Sequence, residues 1–508
     1  FQLGGHSLKA TMLVLRIHKI FAANIPLSQV FQLATIRRLA EFITGAAHDR
    51  LVSIEPAEEK EYYPMSPAQK RLYILQQMEE KRTSYNMFHA VVLNGHISKE
   101  RFQEIFKKLI RRHEILGTSF KMVGNEPVQR IHDNVEFEIE FYDLAAKNAK
   151  DREEDIIKHF IRPFDLSKAP LLRAGLIKET DKRHILVLDM HHIAVDGTSV
   201  RIFINEFVQL YSGAQLSPLK LQYKDFSEWQ RKWIASGGIK SQEVYWLNQF
   251  EEIIPRLNLP FDYERTAGQG FDFDRVVFEA DRELTGKIKK LVSETGLTMY
   301  MVLLATYIIL LTKYSDQEDI VIGTGVGGRT HPDTEQIIGM FVNMLAIRCR
   351  PLGKKTAARF LEEIKASVLA AFENQDYPFD ELVKKLNLKR EYGRNPLFDT
   401  EFTFQDAGGA SLVIPGLRVE PYEYENSLLK FDLSLTAFEA GNKIHLILGF
   451  SPLLFKRETI ENMAKHFIEI MEQLPGNQNM ELKEIKINYR LSESAAAFSR
   501  SDYTGFEF

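Results

Sequence analysis

The chain has one cysteine, Cys349, and three tryptophans in 508 residues. A single thiol excludes an internal disulfide and a cysteine metal cage. Cys349 follows Ile347 and Arg348 in a strand-like run, where a buried structural thiol is expected rather than a nucleophile. A basic excess is also missing: 65 Lys and Arg against 69 Asp and Glu leave a net charge of -4, which argues against a nucleic-acid surface. The local cluster Lys107, Lys108, Arg111 and Arg112 alternates with apolar helix positions and reads as a solvated face. The longest apolar run, Met299 to Leu311, is too short to span a bilayer. No signal peptide is recognisable and the chain opens on Phe1, so it reads as a fragment from a reducing cytoplasm, a monomer with no membrane contact.

What is present describes a soluble globular protein, 44% hydrophobic and 26% charged. The length exceeds one ordinary core, so two or three domains are expected. The most informative stretch is His191-His192-Ile-Ala-Val-Asp196-Gly197. It follows a strand-like run from His184 to Met190 and precedes an amphipathic helix expected over Ser199 to Tyr211. A strand feeding a turn feeding a helix puts the turn at the end of a sheet, where clefts form. One imidazole there can exchange a proton near neutral pH. Asp196 can fix the geometry, and Gly197 is expected to permit a backbone conformation that a side chain would obstruct. A metal is not expected: Gly197 disfavours placing His192 and Asp196 on one helix, and no third ligand is near in sequence.

Two units are expected on either side of a tether. In residues 1–45, Gly4 and Gly5 break structure and Ser7 is a natural helix cap before Leu8, Met12 and Leu15. Two further helices, Gln29 to Leu33 and Ile36 to Thr44, start after Ser28 and Thr35. The stretch from Gly45 to Tyr63, with residues 46–63 as linker, has no sustained period; fully extended it spans at most roughly 60 Å. From Pro64 onward, strands and helices alternate. Strands are expected at Phe88–Asn94, Val135–Phe141, Leu171–Ile177, Ile185–Met190, Arg275–Glu279, Ile320–Thr324, Leu429–Phe438 and Lys443–Phe450. Helices are expected at Lys99–Arg112, Asp151–Ile161, Arg282–Ser293, Met299–Lys313, Ala357–Phe372 and Glu458–Met471. The same crude order occurs twice, which suggests two similar α/β lobes with a groove between them.

Leu3-Gly4-Gly5-His6-Ser7-Leu8 resembles the attachment motif of peptidyl carrier domains in nonribosomal peptide synthetases. The large unit resembles their condensation domains, of the bacillar tyrocidine and gramicidin type. The HHxxxDG stretch carries that resemblance together with Ser66-Pro-Ala-Gln69-Lys-Arg71-Leu72, Arg112-His113-Glu114, Tyr223-Lys-Asp225-Phe226 leading to Trp229, and Ile322-Gly-Thr-Gly325-Val-Gly-Gly-Arg329. Ile338 to Asn343, Gln375 to Phe379 and Arg394 to Phe398 continue it. Gly325 departs from the family's usual proline. The resemblance implies a small all-α carrier lacking its first helix, a partial four-helix bundle. It implies two chloramphenicol-acetyltransferase-like lobes in a V, residues 64–250 and 251–486, with a tunnel between them floored by Ile322 to Asn343, and a linker tail at 487–508.

It also implies the chemistry: an acceptor aminoacyl amine attacks a donor thioester carbonyl. Ser7 would carry a 4'-phosphopantetheine arm, added by a phosphopantetheinyl transferase; the plain alternative for Ser7 is a helix cap. Partners would be the downstream carrier and adenylation domains of the same synthetase. His192 is the catalytic candidate, either as base or as a group that positions the amine, since an α-ammonium near pKa 7.7–8 already deprotonates in part. His191 reads better as a buried structural histidine. Asp196 would pair with Arg71 and hold the loop. Asn343, Tyr223 and Trp229 either line the tunnel or support it. Ser84-Tyr85-Asn86 points to the subtype joining two L-residues. An epimerising relative usually has tryptophan after the motif's serine, where this chain has Val200, and a non-catalytic docking module would have lost the histidine motif.

Overall fold

The computed structural model describes residues 7–488 apart from 34, 47–52, 79–82, 145–148, 266–272, 389–393, 406–412, 423 and 425–430. Leu3 to His6 of the carrier motif and the tail from 489 onward lie outside the described residues. Three helices open the chain: α1 (Ser7–Phe21), α2 (Leu27–Gln32) and α3 (Ile36–Gly45). Thr35 caps α3, its hydroxyl accepting from the Arg38 amide at 3.4 Å. Ile17, Ala23 and Ile25 form a small apolar cluster of their own.

Two mixed sheets organise the rest. The first has five strands in the order Arg418–Pro421, Asn86–Asn94, Arg183–His191, Leu172–Thr180, Glu140–Asp143. The second has six, in the order Asn343–Cys349, Ile320–Val326, Thr400–Gln405, Leu433–Ala440, Lys443–Phe450, Asp274–Ala280. Both share one wiring. A lone strand (Asn86–Asn94, or Asp274–Ala280) pairs antiparallel with the second arm of a hairpin. The first arm of that hairpin pairs parallel with a fourth strand (Glu140–Asp143, or Thr400–Gln405). The repeated order in the sequence is thus a repeated topology, as the two-lobe reading expects.

Each lobe packs helices on its sheet. In the first, Phe102 and Phe106 of helix Lys99–Arg112 meet Phe203 and Phe207 of helix Gly197–Tyr211 with ring centroids 5.2 to 5.9 Å apart. In the second, helix Met299–Ser315 is apolar all round, as a helix enclosed by its lobe must be. Every residue from Met299 to Leu311 is buried, which accounts for the long apolar run without a membrane. Thr298 caps it through the Met301 amide. Among the described residues no single helix is long and apolar enough to cross a bilayer.

The lobes also exchange parts, which the division at residue 250 does not anticipate. Arg418–Pro421 comes from the second half of the chain yet forms the edge strand of the first sheet, antiparallel to Asn86–Asn94. Ile337, Ile338, Met340 and Phe341 likewise belong to the first lobe's core. A three-stranded sheet of Tyr63–Pro64, Glu126–Ile131 and Thr118–Val123 is an addition. The strand expected over Val135–Phe141 forms only at Glu140–Asp143, the residues that pair in parallel with Gly175 to Lys178. The tether is shorter than expected. Ile54 is buried, and the amides of Ile54 and Ala57 donate to Asp333 (3.2 Å) and Asp225 (2.8 Å).

Close packing under the second sheet is testable at Gly323, where an added Cβ would lie 2.1 Å from the Phe398 ring. Overpacking of this kind costs about 1–3 kcal/mol. Gly323→Ala is expected to lower the urea midpoint correspondingly; an unchanged midpoint would show that Phe398 moves aside freely.

Candidate active site

The strand Arg183–His191 ends at the first histidine, and helix Gly197–Tyr211 begins after Asp196. His191 is fully buried. Its Nδ1 accepts from the Ile193 amide at 3.1 Å, so Nε2 carries the proton and faces Gln76 Oε1 at 3.3 Å. Phe164 and Tyr85 pack on the ring. This surrounding is that of a structural histidine.

His192 is different. Its amide donates to the Tyr85 carbonyl at 2.8 Å, which fixes the backbone. Its Nδ1 lies 2.8 Å from the Val195 carbonyl. A carbonyl only accepts, so Nδ1 carries a proton. The ring is half-buried. The loop thus presents an imidazole protonated at Nδ1, with Nε2 as the nitrogen that can exchange a proton.

Asp196 is 1% exposed and both its oxygens are engaged. Oδ1 accepts from the Ser199 amide at 2.7 Å, capping the helix, and from Arg329 Nη2 at 3.2 Å. Oδ2 accepts from the Phe341 amide at 3.2 Å. Arg329 is fixed in turn, its Nη1 donating to the carbonyls of Thr334 (2.6 Å) and Ile337 (2.7 Å) and its guanidinium lying 4.0 Å from the centre of the Phe341 ring. Such a carboxylate holds structure and leaves no oxygen for proton transfer.

Two expectations are corrected here. The partner of Asp196 is Arg329, not Arg71. Arg71 instead lies 3.8 Å from Asp380 and 4.9 Å from the centre of the Phe379 ring, joining helix Pro67–Met78 to helix Phe379–Lys385. Gly197 is not needed for its backbone either. It is absent from the residues with positive φ, and a Cβ there would meet nothing within 4 Å. What the glycine leaves beside the loop is open space.

The remaining candidates are supports. Tyr223 is buried; its hydroxyl donates to the Met340 carbonyl and lies 2.8 Å from Ser66 Oγ. Its ring occupies the space a Cβ at Gly339 would need, 1.8 Å away, so only glycine fits there. Asn343 donates to the carbonyls of Gln375 (2.9 Å) and Tyr377 (2.7 Å) and accepts from the Phe379 amide. Trp229 stacks on Trp233 and meets His331 edge-on. Gln69 of the first motif donates to the Ile193 carbonyl at 3.4 Å. Cys349 is buried, which pushes its thiol up to about 12 and makes it inert.

Sequence reasoning quoted Arg329 inside a motif but gave it no role, and passed over Ser199. The Ser199 hydroxyl donates to the Gly339 carbonyl (2.8 Å) and accepts from the Gly339 amide and from Arg329. It also passed over Asp189. This fully buried carboxylate receives Asn86 Nδ2 at 2.7 Å and Arg173 at 3.0 Å. Burial lifts it to about 7 against the pull of Arg173. Asn86 follows Tyr85 directly, so the Asp189 contact steadies the carbonyl that holds His192.

Two cavities flank the loop's supports. One, about 400 Å³, is lined by Thr11 and Leu15 of α1, Thr198 and Ile202 of the Gly197 helix, and Tyr300 and Phe404 of the second lobe. The other, about 700 Å³, is lined by Lys70, Arg71, Ile74, Ile234, Tyr377 and Asp380. His192 lines neither.

Residues 59–494 match the model of the condensation domain, and residues 1–43 match that of the phosphopantetheine attachment site. The chain belongs to the condensation-domain family. It is 46% identical over 485 residues to tyrocidine synthase 3 of Brevibacillus parabrevis, covering 96% of this chain and 7% of that protein. Gramicidin S synthase 2 of Brevibacillus brevis is 43% identical over 507 residues, covering 99% and 11%. The chain therefore spans about a tenth of these relatives. Among solved structures, the X-domain from teicoplanin biosynthesis superposes with TM-score 0.79 at 23% identity, covering 86% of this chain and 100% of its own. A four-domain nonribosomal peptide synthetase, holo-AB3403, gives 0.78 at 20%, covering 87% of this chain and 35% of its own. At these identities the structures speak for the fold, the paired acetyltransferase-like lobes expected from the motifs.

The reassigned partner is testable. Arg329→Ala leaves the buried Asp196 uncompensated, at a cost of about 3–5 kcal/mol in unfolding free energy. Arg71→Ala, at a partly exposed pair, is expected to cost at most about 1 kcal/mol. Equal losses in denaturant titrations would return Arg71 to the pairing.

Proposed function

We propose that this condensation domain joins a donor acyl thioester, carried on the upstream carrier at Ser7, to the amine of an aminoacyl thioester on a downstream carrier. The amine nitrogen attacks the thioester carbonyl, the C–S bond breaks, and the departing thiolate takes up the proton the amine sheds. The carrying observation is the His192 tautomer. With Nδ1 bound to the Val195 carbonyl, Nε2 is left as the nitrogen that receives or orients the amine's proton. Because Asp196 is spent on Arg329, Ser199 and Phe341, it does not orient the imidazole, whose Nδ1 is held by the Val195 carbonyl. That favours positioning and stabilisation of the charged intermediate over strong base action.

Ser7 begins α1, and the cavity of about 400 Å³ beside α1 has a largely apolar lining suited to a pantetheine chain. Thr11, Leu15, Thr198 and Ile202 would hold that chain, with Arg201 at the same cavity facing its phosphate. Bound there, the group supplies the acyl chain as an activated thioester. The cavity beside Arg71 would serve the downstream arm. A phosphopantetheinyl transferase, adenylation and carrier domains of the same synthetase, and a cytoplasmic setting belong to this reading. So does joining of two L-residues, supported by Ser84-Tyr85-Asn86 and by Val200 after the motif's serine. A docking role without catalysis is the second reading; the X-domain from teicoplanin biosynthesis, which has this fold, is solved in complex with OxyB. A competent His192 tautomer favours catalysis.

The experiment loads an acyl group on Ser7 and offers an aminoacylated downstream carrier, with the product detected by mass. Wild type is expected to form product, and His192→Ala to lose about a hundredfold or more in rate, the scale of one proton-transferring group. Equal product from both would favour docking. Gly197→Ala gives a second check. It is expected to keep stability within about 0.5 kcal/mol and still lose turnover, because its methyl fills the open space beside the loop; unaltered turnover would mean that no substrate passes there.

A further inference from the structure

The carrier helices sit on the second lobe through an apolar centre and a charged rim, the anatomy of a specific interface. Ala10 of α1 and Leu27 and Phe31 of α2 are buried within the second lobe's core cluster. Around them, Arg16 lies 2.9 Å from Glu335 and Lys19 lies 4.0 Å from Asp333. The Ser28 amide, at the start of α2, donates to Glu373 at 3.0 Å. Asp333 also receives the Ile54 amide from the tether. Three carboxylates of the second lobe thus meet two cations and a helix amide of the carrier.

The segment that receives the carrier is the one that holds Arg329. Thr334 and Ile337 give their carbonyls to its Nη1, while its Nη2 reaches Asp196. Residues 331–335 therefore touch α1 on one side and steady the catalytic loop's carboxylate on the other.

We propose that the acidic ledge of Asp333, Glu335 and Glu373 is the recognition surface for a carrier whose helix after the attachment serine is basic, and that seating this carrier tightens the Arg329–Asp196 clasp. The proposal rests on the condensation reading above and names the partner surface that delivers its donor. Exposed ion pairs are individually weak and screened by salt, which suits a carrier that must dock and leave while a tether keeps it nearby.

A charge swap tests it. With the acyl donor on Ser7, Arg16→Glu and Glu335→Arg are each expected to slow single turnover by about three- to tenfold, and the double variant to recover most of the loss. Amide exchange at residues 339–341 is expected to quicken in each single variant and to recover in the double. With a soluble N-acetylcysteamine thioester as donor, which needs no delivery by the carrier, the single variants are expected to lose less turnover than with the donor on Ser7, because only the loosened clasp acts. No loss, loss without recovery, an equal loss with the soluble donor, or unaltered exchange each overturns the proposal. Failure of wild type to form product from either donor would instead sink the condensation reading itself.

Discussion

A buried carboxylate with three donors around it governs this molecule. Asp196 closes the loop that carries His192, caps the helix behind it, and takes an amide and a guanidinium from the second half of the chain. Taking such a charge out of water is tolerable only when its lone pairs are all met. The ledger of donors includes Phe341 and Arg329, so the loop adopts its shape only when residues 329–341 are in place. Folding of one lobe's histidine loop is thereby made conditional on the other lobe.

The repeated wiring gives a direct comparison within one chain. After the hairpin strand of the first lobe come His191 to Asp196 and a helix; after the matching strand of the second lobe come Ser451 to Lys456 and helix Arg457–Gln473. The second turn has Leu454 and Phe455, both buried. The same turn carries two histidines and a buried carboxylate in one lobe and core filling in the other. Topology supplied two equivalent places, and the side chains made them different.

This explains what could be read in advance. Helix Lys99–Arg112 and strand Lys443–Phe450 follow from local periodicity, and the histidine turn stands out because its residues are adjacent in sequence. The Asp196–Arg329 contact joins residues far apart and has no local pattern, so the pairing with Arg71 that the resemblance implies stood in its place. Gly197 misled for a related reason: glycine is permitted in unusual backbone, yet here it is ordinary helix with empty space beside it. The hairpin Thr118–Ile131 did leave a signal, Gly124-Asn125 between two extended runs. The edge strand Arg418–Pro421 left none, because four residues with mixed polarity become a strand only when a waiting edge pairs with them.

That borrowed edge has a consequence for evolution and for engineering. Backbone hydrogen bonds tie Arg418–Pro421 to Asn86–Asn94, so the halves of this domain are stitched and cannot be traded at the obvious seam near residue 250. A recombinant that joins the front of one synthetase to the back of another inherits a foreign ribbon on its sheet. Natural shuffling that succeeds should therefore carry whole domains, with crossover points lying outside both lobes.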